Sequence, residues 1–246
     1  ELPKNEFSKK QWQLKQQRRC KECIADNREV VNLSEAPSDA APQLSNSDGE
    51  GASDEELFRP SPPREECPIC FLQLPVTNDD LCYQPCCGKT LCYGCIHAAY
   101  TADTRQLCPF CRTPEPTSHG GIIERIKKRA EAGDSEAMYN LGVKYFHGRS
   151  GLRQNIKKAN KLWLRAGELG DADAYNNLGA SYIRGQGVDR DERKARCYWE
   201  LAAMGGHAWA RFNLGSLEYQ SGNMNRAVKH WMISAGAGHD DSLTNI

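Results

Sequence analysis

The sequence predicts a mainly α protein: a small, cysteine-held α+β module followed by an α-solenoid of helix pairs, with a disordered acidic linker ahead of the module. Three observations carry this prediction. Nine of the twelve cysteines in the 246 residues fall between Cys67 and Cys111. From about Gly121 a helical signature recurs, Ala-x-x-x-Leu-Gly at Ala137/Leu141/Gly142, Ala174/Leu178/Gly179 and Ala210/Leu214/Gly215, at steps of 37 and 36 residues. Residues 25 to 66 are rich in Asp, Glu, Ser and Pro and poor in large apolar side chains, a composition that cannot offset the entropy of ordering.

The 32 basic and 32 acidic side chains cancel, so bulk attraction to nucleic acid or to an anionic membrane is excluded as the main activity. No stretch approaches the roughly 18 consecutive apolar residues of a membrane helix, and the first residues lead into polar sequence rather than a signal core. The chain therefore reads as soluble and intracellular, in cytoplasm or nucleus, with no membrane partner. Starting at Glu1 rather than methionine, it also reads as a fragment or a processed product.

Residues 1–24 form a basic segment with Lys9, Lys10, Lys15, Arg18, Arg19, Lys21 and the lone pair Cys20-Lys-Glu-Cys23. One C-x-x-C supplies half a tetrahedral site, and no other Cys or His lies between Cys23 and Cys67. The segment is thus half a zinc finger or a solvated basic helix; the run from Phe7 to Cys23 resembles the Stc1-type zinc-finger segment. Trp12 does not make a stacking platform for nucleic acid, which is not expected as a partner. Residues 25–66 follow as the disordered acidic tether.

Residues 67–112 carry Cys67-Pro-Ile-Cys70, Cys82, Cys86-Cys87-Gly-Lys-Thr-Leu-Cys92-Tyr-Gly-Cys95 and Cys108-Pro-Phe-Cys111-Arg112. In a chain without a secretory signal, repeated C-x-x-C units favour zinc over a disulfide scaffold, because intracellular thiols stay reduced and thiolates bind zinc tightly. Three such units give six thiolates where two tetrahedral sites need eight, so two more come from Cys82, Cys86 and Cys87. The arrangement resembles a RING finger, whose two zinc ions are cross-braced. The resemblance implies that Cys67, Cys70, Cys92 and Cys95 hold one ion and Cys86, Cys87, Cys108 and Cys111 the second. A competing assignment uses Cys82 with Cys87 and leaves Cys86 free. Lys89 stands where many RINGs place a histidine ligand, and an ammonium has no lone pair to give, so the closer likeness is to all-cysteine RINGs of the CNOT4 type. His97 reads as a polar helix residue.

That resemblance implies a ubiquitin ligase without a covalent intermediate, which holds a charged E2 ubiquitin-conjugating enzyme and orders its thioester for attack. It gives Ile69 and Pro109 as apolar E2 contacts and Arg112 as the basic residue bridging E2 and ubiquitin, a role suited to its planar fork. Many ligases carry a large apolar residue where this chain has Ala99, followed by Tyr100. A structural zinc module that only binds partners is the rival reading.

Residues 113–120 are a short, partly stiff connector. In 121–246 a second signature follows each Leu-Gly: Ala159/Trp163/Gly170, Ala195/Trp199/Gly206 and Ala227/Trp231/Gly238. All length variation lies between the first and second signatures, so each unit is two helices with a variable inner loop and a fixed link to the next. The tryptophans are read as core. Ile122 to Ala132 looks like the second helix of a degenerate leading unit with Ile126 at the Trp position, and Ile246 takes the Leu position of a truncated fourth. The pattern resembles Sel1-like repeats, a subfamily of the tetratricopeptide solenoids, which implies a protein or peptide partner on the array. The whole chain then reads as a RING-type E3 ubiquitin ligase with a recruiting array; a non-enzymatic zinc-binding interaction scaffold is second, and a nucleic-acid-associated adaptor third.

Overall fold

The computed structural model describes residues 52–75, 80–102 and 107–245, all within one compact unit. The basic segment 1–24 with its Cys20 and Cys23, the tether up to residue 51, and Ile246 lie outside the described residues. Chain order is a short helix α1 (Asp54–Leu57), strands β1 (Leu81–Gln84) and β2 (Lys89–Cys92), and helix α2 (Tyr93–Ala102). Seven helices follow: α3 (His119–Glu131), α4 (Ser135–His147), α5 (Ile156–Glu168), α6 (Ala172–Arg184), α7 (Glu192–Met204), α8 (Ala208–Gln220) and α9 (Met224–Gly236), then a 3-10 turn over Asp240–Asn245.

The helical part is an array of antiparallel pairs built as the spacing requires. The first helix of each repeat starts on a side-chain cap at the same position: Asp134, Asp171 and His207 accept from the backbone N–H of Ala137, Ala174 and Ala210. The inner loops vary, spanning residues 148–155, 185–191 and 221–223, while the links at 132–134, 169–171 and 205–207 do not. Within each pair the Leu-Gly signature meets the tryptophan. A methyl group on Gly142, Gly179 or Gly215 would lie 2.5, 2.5 or 2.4 Å from the indole of Trp163, Trp199 or Trp231, so glycine is what lets the two helices approach this closely. The three tryptophans are buried, and Trp163 and Trp199 donate their indole N–H to the carbonyls of Tyr139 and Asn176, both at 3.2 Å. Ahead of the first pair, α3 buries Ile123, Ile126 and Ala130 and packs on α4, with Ile126 in the place taken elsewhere by Trp.

The cysteine-rich part is an antiparallel hairpin of β1 and β2, in register Leu81 to Cys92 and Gln84 to Lys89, followed directly by α2. Leu74, Leu91 and Ile96 form its small core together with Cys67.

Two expectations about organisation need correction. The tether assigned to residues 25–66 is folded from residue 52 onward: Ser53 and Glu56 close a reciprocal capping box on α1, and Leu57 is fully buried against the array. The composition of the stretch is acidic throughout, but the adjacent Leu57 and Phe58 are enough to anchor it once an apolar cleft lies within reach. The hairpin is also not joined to the array by the connector alone. Tyr83 Oη donates to Asp134 Oδ2 at 2.9 Å, Arg129 Nε donates to the same carboxylate at 2.7 Å and to Tyr83 Oη at 3.1 Å, and Thr90 Oγ1 donates to Glu136.

Candidate metal centres and the groove beside them

Two turns of the same construction present four of the cysteines. In the first, the N–H of Phe71 donates to the Cys67 carbonyl and that of Cys67 to the Leu72 carbonyl, each at 2.8 Å. In the second, the N–H of Arg112 donates to the Cys108 carbonyl and that of Cys108 to the Thr113 carbonyl, each at 2.9 Å. Both turns are closed by a bridge between flanking residues, Glu66 with Gln73 and Leu107 with Pro114. In both, the residue after the second cysteine is left-handed, Phe71 at φ 62° and Arg112 at φ 61°, which ordinarily costs a non-glycine residue of order 1 kcal/mol.

The hairpin supplies the rest. Its turn places Cys86 and Cys87 side by side, with the N–H of Cys87 and Gly88 donating to the Gln84 carbonyl and Gly88 at φ 63°. Cys92 ends β2 and Cys95 sits in the first turn of α2. The eight sulfurs gather into two groups, Cys67/Cys70/Cys92/Cys95 and Cys86/Cys87/Cys108/Cys111, each with its donor atoms within 4.8 Å of one another. The first and third pairs in sequence share one group and the second and fourth share the other, which is the cross-braced order. Cys82 is in neither, and its sulfur receives a hydrogen bond from Gln84 Nε2 at 3.3 Å.

Either group could hold a metal ion, and its chemistry fits zinc. Four thiolates about 2.3 Å from a tetrahedral ion stand about 3.8 Å apart; the Cys70–Cys92, Cys87–Cys108 and Cys86–Cys111 sulfur distances are 3.8, 3.9 and 3.4 Å. A disulfide would need about 2.05 Å, and all ten described cysteines are free. Burial opposes ionisation of Cys67, yet backbone N–H groups of Cys70, Cys92 and Ile69 outweigh it and bring the thiol down to about 6. Cys111 comes down to about 7 in the same way, through Thr113 and Cys86. Burial and the charges of Cys108 and Cys111 push Cys87 up to about 12. In each cluster one thiol is brought down while two others, Cys70 and Cys95 in the first and Cys86 and Cys87 in the second, are pushed up, a resistance to ionisation that a dication binding thiolates reverses.

Beside the two turns lies an open groove of about 750 Å³ bordered by Ile69, Ala99, Leu107, Pro109 and Arg112. Ile69 is 37% exposed at its edge, and Phe71 and Leu72 project further, at 66% and 69%; these last two did not stand out in the sequence. Ala99 leaves the groove without a large apolar side chain on the helix side. Tyr100 does not replace it, because its ring packs toward the module core and its hydroxyl donates to Glu115. His97 is exposed on α2, 6.1 Å ring to ring from Tyr93, and belongs to neither sulfur group.

Residues 135–171 and 172–207 each match the Sel1 repeat family model; the chain carries Sel1 repeats. Over 53 residues, 20% of the chain, it is 45% identical to E3 ubiquitin-protein ligase GW2 from Oryza sativa subsp. indica, of which the match covers 11%. Over 83 residues, 32% of the chain, it is 29% identical to E3 ubiquitin-protein ligase DA2 from Arabidopsis thaliana, of which the match covers 20%. The chain therefore spans about a tenth and about a fifth of these curated relatives. A crystal structure of a Sel1 repeat protein from Oxalobacter formigenes, 31% identical, aligns over 51% of this chain and 52% of its own at a TM-score of 0.47.

Proposed function

We propose that the protein is a RING-type E3 ubiquitin ligase acting inside the cell, in cytoplasm or nucleus. Its cysteine module, loaded with two zinc ions, receives a ubiquitin-charged E2, and its Sel1 array recruits a substrate or partner protein. The observation that carries this reading is the convergence of Ile69, Pro109 and Arg112 on one groove between the paired cysteine turns and helix α2. Names of relatives that share part of the sequence point the same way.

Cys67, Cys70, Cys92 and Cys95 would hold one zinc and Cys86, Cys87, Cys108 and Cys111 the other, and the ions would supply rigidity rather than reaction chemistry. With the turns fixed, Ile69 is held outward as an apolar contact for E2. Pro109 and the aliphatic stem of Arg112 extend that contact, while the guanidinium at the groove rim can donate to carbonyls of E2 and ubiquitin together. The module needs no nucleophile, since its work is to hold the thioester in one reactive conformation. A second reading, a zinc-held scaffold without transferase activity, is favoured by one feature, the methyl side chain of Ala99 where a larger contact would deepen the E2 site.

The two jobs assigned to Ile69 and Arg112 separate in one experiment. E2 affinity is measured beside the rate at which E2-bound ubiquitin is discharged onto free lysine, across an E2 panel, for wild type, Ile69→Ala and Arg112→Ala. The ligase reading expects loss of binding in the first variant, and a fall in rate of at least tenfold with near-normal binding in the second. A wild type that binds E2 without accelerating discharge establishes the scaffold instead.

A further inference from the structure

Residues 52–58 lie across the cleft formed by α7, α8 and α9. Leu57 is buried in the apolar cluster of Ala195, Trp199, Ala203, Ala210 and Leu214. Around that pocket polar contacts hold the rest of the segment. The Ala52 N–H donates to Glu200 Oε2 at 3.1 Å, Arg211 Nη1 donates to the Leu57 carbonyl at 2.5 Å, and Arg226 pairs with Asp54. Phe58 lies on the ring of His230 at 4.7 Å, with the Lys229 ammonium 5.3 Å from its centroid. Of this segment only Leu57 is fully buried, and residues 59–66, which lead from it to Cys67, are exposed.

The cleft is better equipped than its occupant requires. Arg211 is 1% exposed, yet its Nε and Nη2 have no partner among the described residues, and neither ring nitrogen of the buried His230 has one. A buried guanidinium with spare donors calls for a carboxylate or a further carbonyl, and Arg226 and Lys229 add positive charge at the rim. Glu218 is already held by Arg196 at 2.5 Å and by Asn223 at 2.8 Å, so it does not neutralise Arg211.

We propose that this cleft is a peptide-recognition site which residues 52–58 occupy in cis, and that it accepts from a partner protein an acidic segment with leucine at the Leu57 position and an aromatic residue after it. The chain's own segment then acts as an intramolecular competitor. A tether of this length presents it at an effective concentration on the order of millimolar, so only a partner with a better match to Arg211 displaces it. This takes from the proposed function only that the array receives a protein segment. It does not depend on E2 binding, so the two fail separately.

The test is binding of a fluorescein-labelled peptide with the sequence of residues 51–60 to the full chain, as wild type and as Leu57→Asp, with helical content checked by circular dichroism. Release of the cis segment should raise affinity at least tenfold over wild type, and a peptide that itself carries Leu57→Asp should not bind. In the released chain, Arg226→Glu should weaken binding several-fold, and a peptide with Asp54→Arg should restore it. Equal binding to wild type and released chain, or none to either, overturns the proposal. Hydrogen exchange on the wild type needs no variant: the amides of Leu57 and Phe58 should open well before those of α7 and α8. If they exchange only with global unfolding, the segment is part of the array's core and the proposal is wrong.

Discussion

Three glycines of this chain lie against three indoles, and at those contacts a single methyl group decides the helix spacing. At Gly179 the added carbon would approach Trp199 Cδ1 and Nε1 to 2.5 Å. Gly179→Ala should therefore destabilise the array by roughly 1 to 3 kcal/mol, the usual cost of overpacking. Trp199→Ala should lose about 3 to 5 kcal/mol, the usual cost of removing a buried aromatic ring. Urea unfolding followed by circular dichroism measures both, and unchanged midpoints would mean that the pairing of glycine with tryptophan is wrong. The meeting with a glycine inside each pair is seen only in the structure, but the core tryptophan itself was legible in the sequence because it recurs with the same flanking Ala and Gly. Arg211 and His230 were not, since each occurs once and nothing in its neighbours distinguishes a buried cation from a solvated one.

At the scale of elements, the hairpin is where the sequence left a choice open. Which two of Cys82, Cys86 and Cys87 join the clusters depends on register: Cys82 lies opposite Leu91 within the strands, whereas Cys86 and Cys87 share the turn. Adjacency suits the pair because a tight turn splays neighbouring side chains. The same hairpin docks on α3 and α4 through Tyr83 and Thr90, a contact between residues about fifty positions apart that no local pattern announces. Glu136, which accepts from Thr90, is raised by burial, and by the carboxylates of Asp134, Glu65 and Asp173, to about 7, with the Thr90 hydrogen bond acting in the opposite direction. The folded chain then keeps a proton that the unfolded chain loses above its ordinary 4.5, so stability falls as pH rises from about 4.5 to 7. Glu136→Gln removes the titration. Its thermal midpoint should exceed that of wild type at pH 8, and the gap should close toward pH 5, read by differential scanning fluorimetry in the presence of zinc; parallel profiles would show that Glu136 is solvated.

At the scale of the molecule, the helix pairs, the cysteine module and their order along the chain could be read directly, because each is written in a period or a spacing. The way they are assembled could not. A composition average over residues 25–66 hides Leu57, and a connector length says nothing about Tyr83 meeting Asp134. These contacts make module and array one folded unit over the described residues, with the groove of Ile69, Pro109 and Arg112 on the module and the cleft around Arg211 on the array. Among the described residues no helix is long and apolar enough to cross a membrane. The proposed ligase activity rests on the module having its turns fixed, and that in turn rests on eight particular sulfurs. A segment this short, with Leu74, Leu91 and Ile96 as its main aliphatic core, does not fold on apolar burial alone.

The most direct measurement is therefore the zinc count by native mass spectrometry, on wild type, Cys82→Ser and Cys86→Ser. Two ions are expected in the module for wild type and for Cys82→Ser, with weakened retention of one ion in Cys86→Ser and loss of the module's fold when both are chelated. A module that stays folded without metal, or a Cys82→Ser variant that loses an ion while Cys86→Ser keeps both, would contradict the cross-braced arrangement on which the account stands.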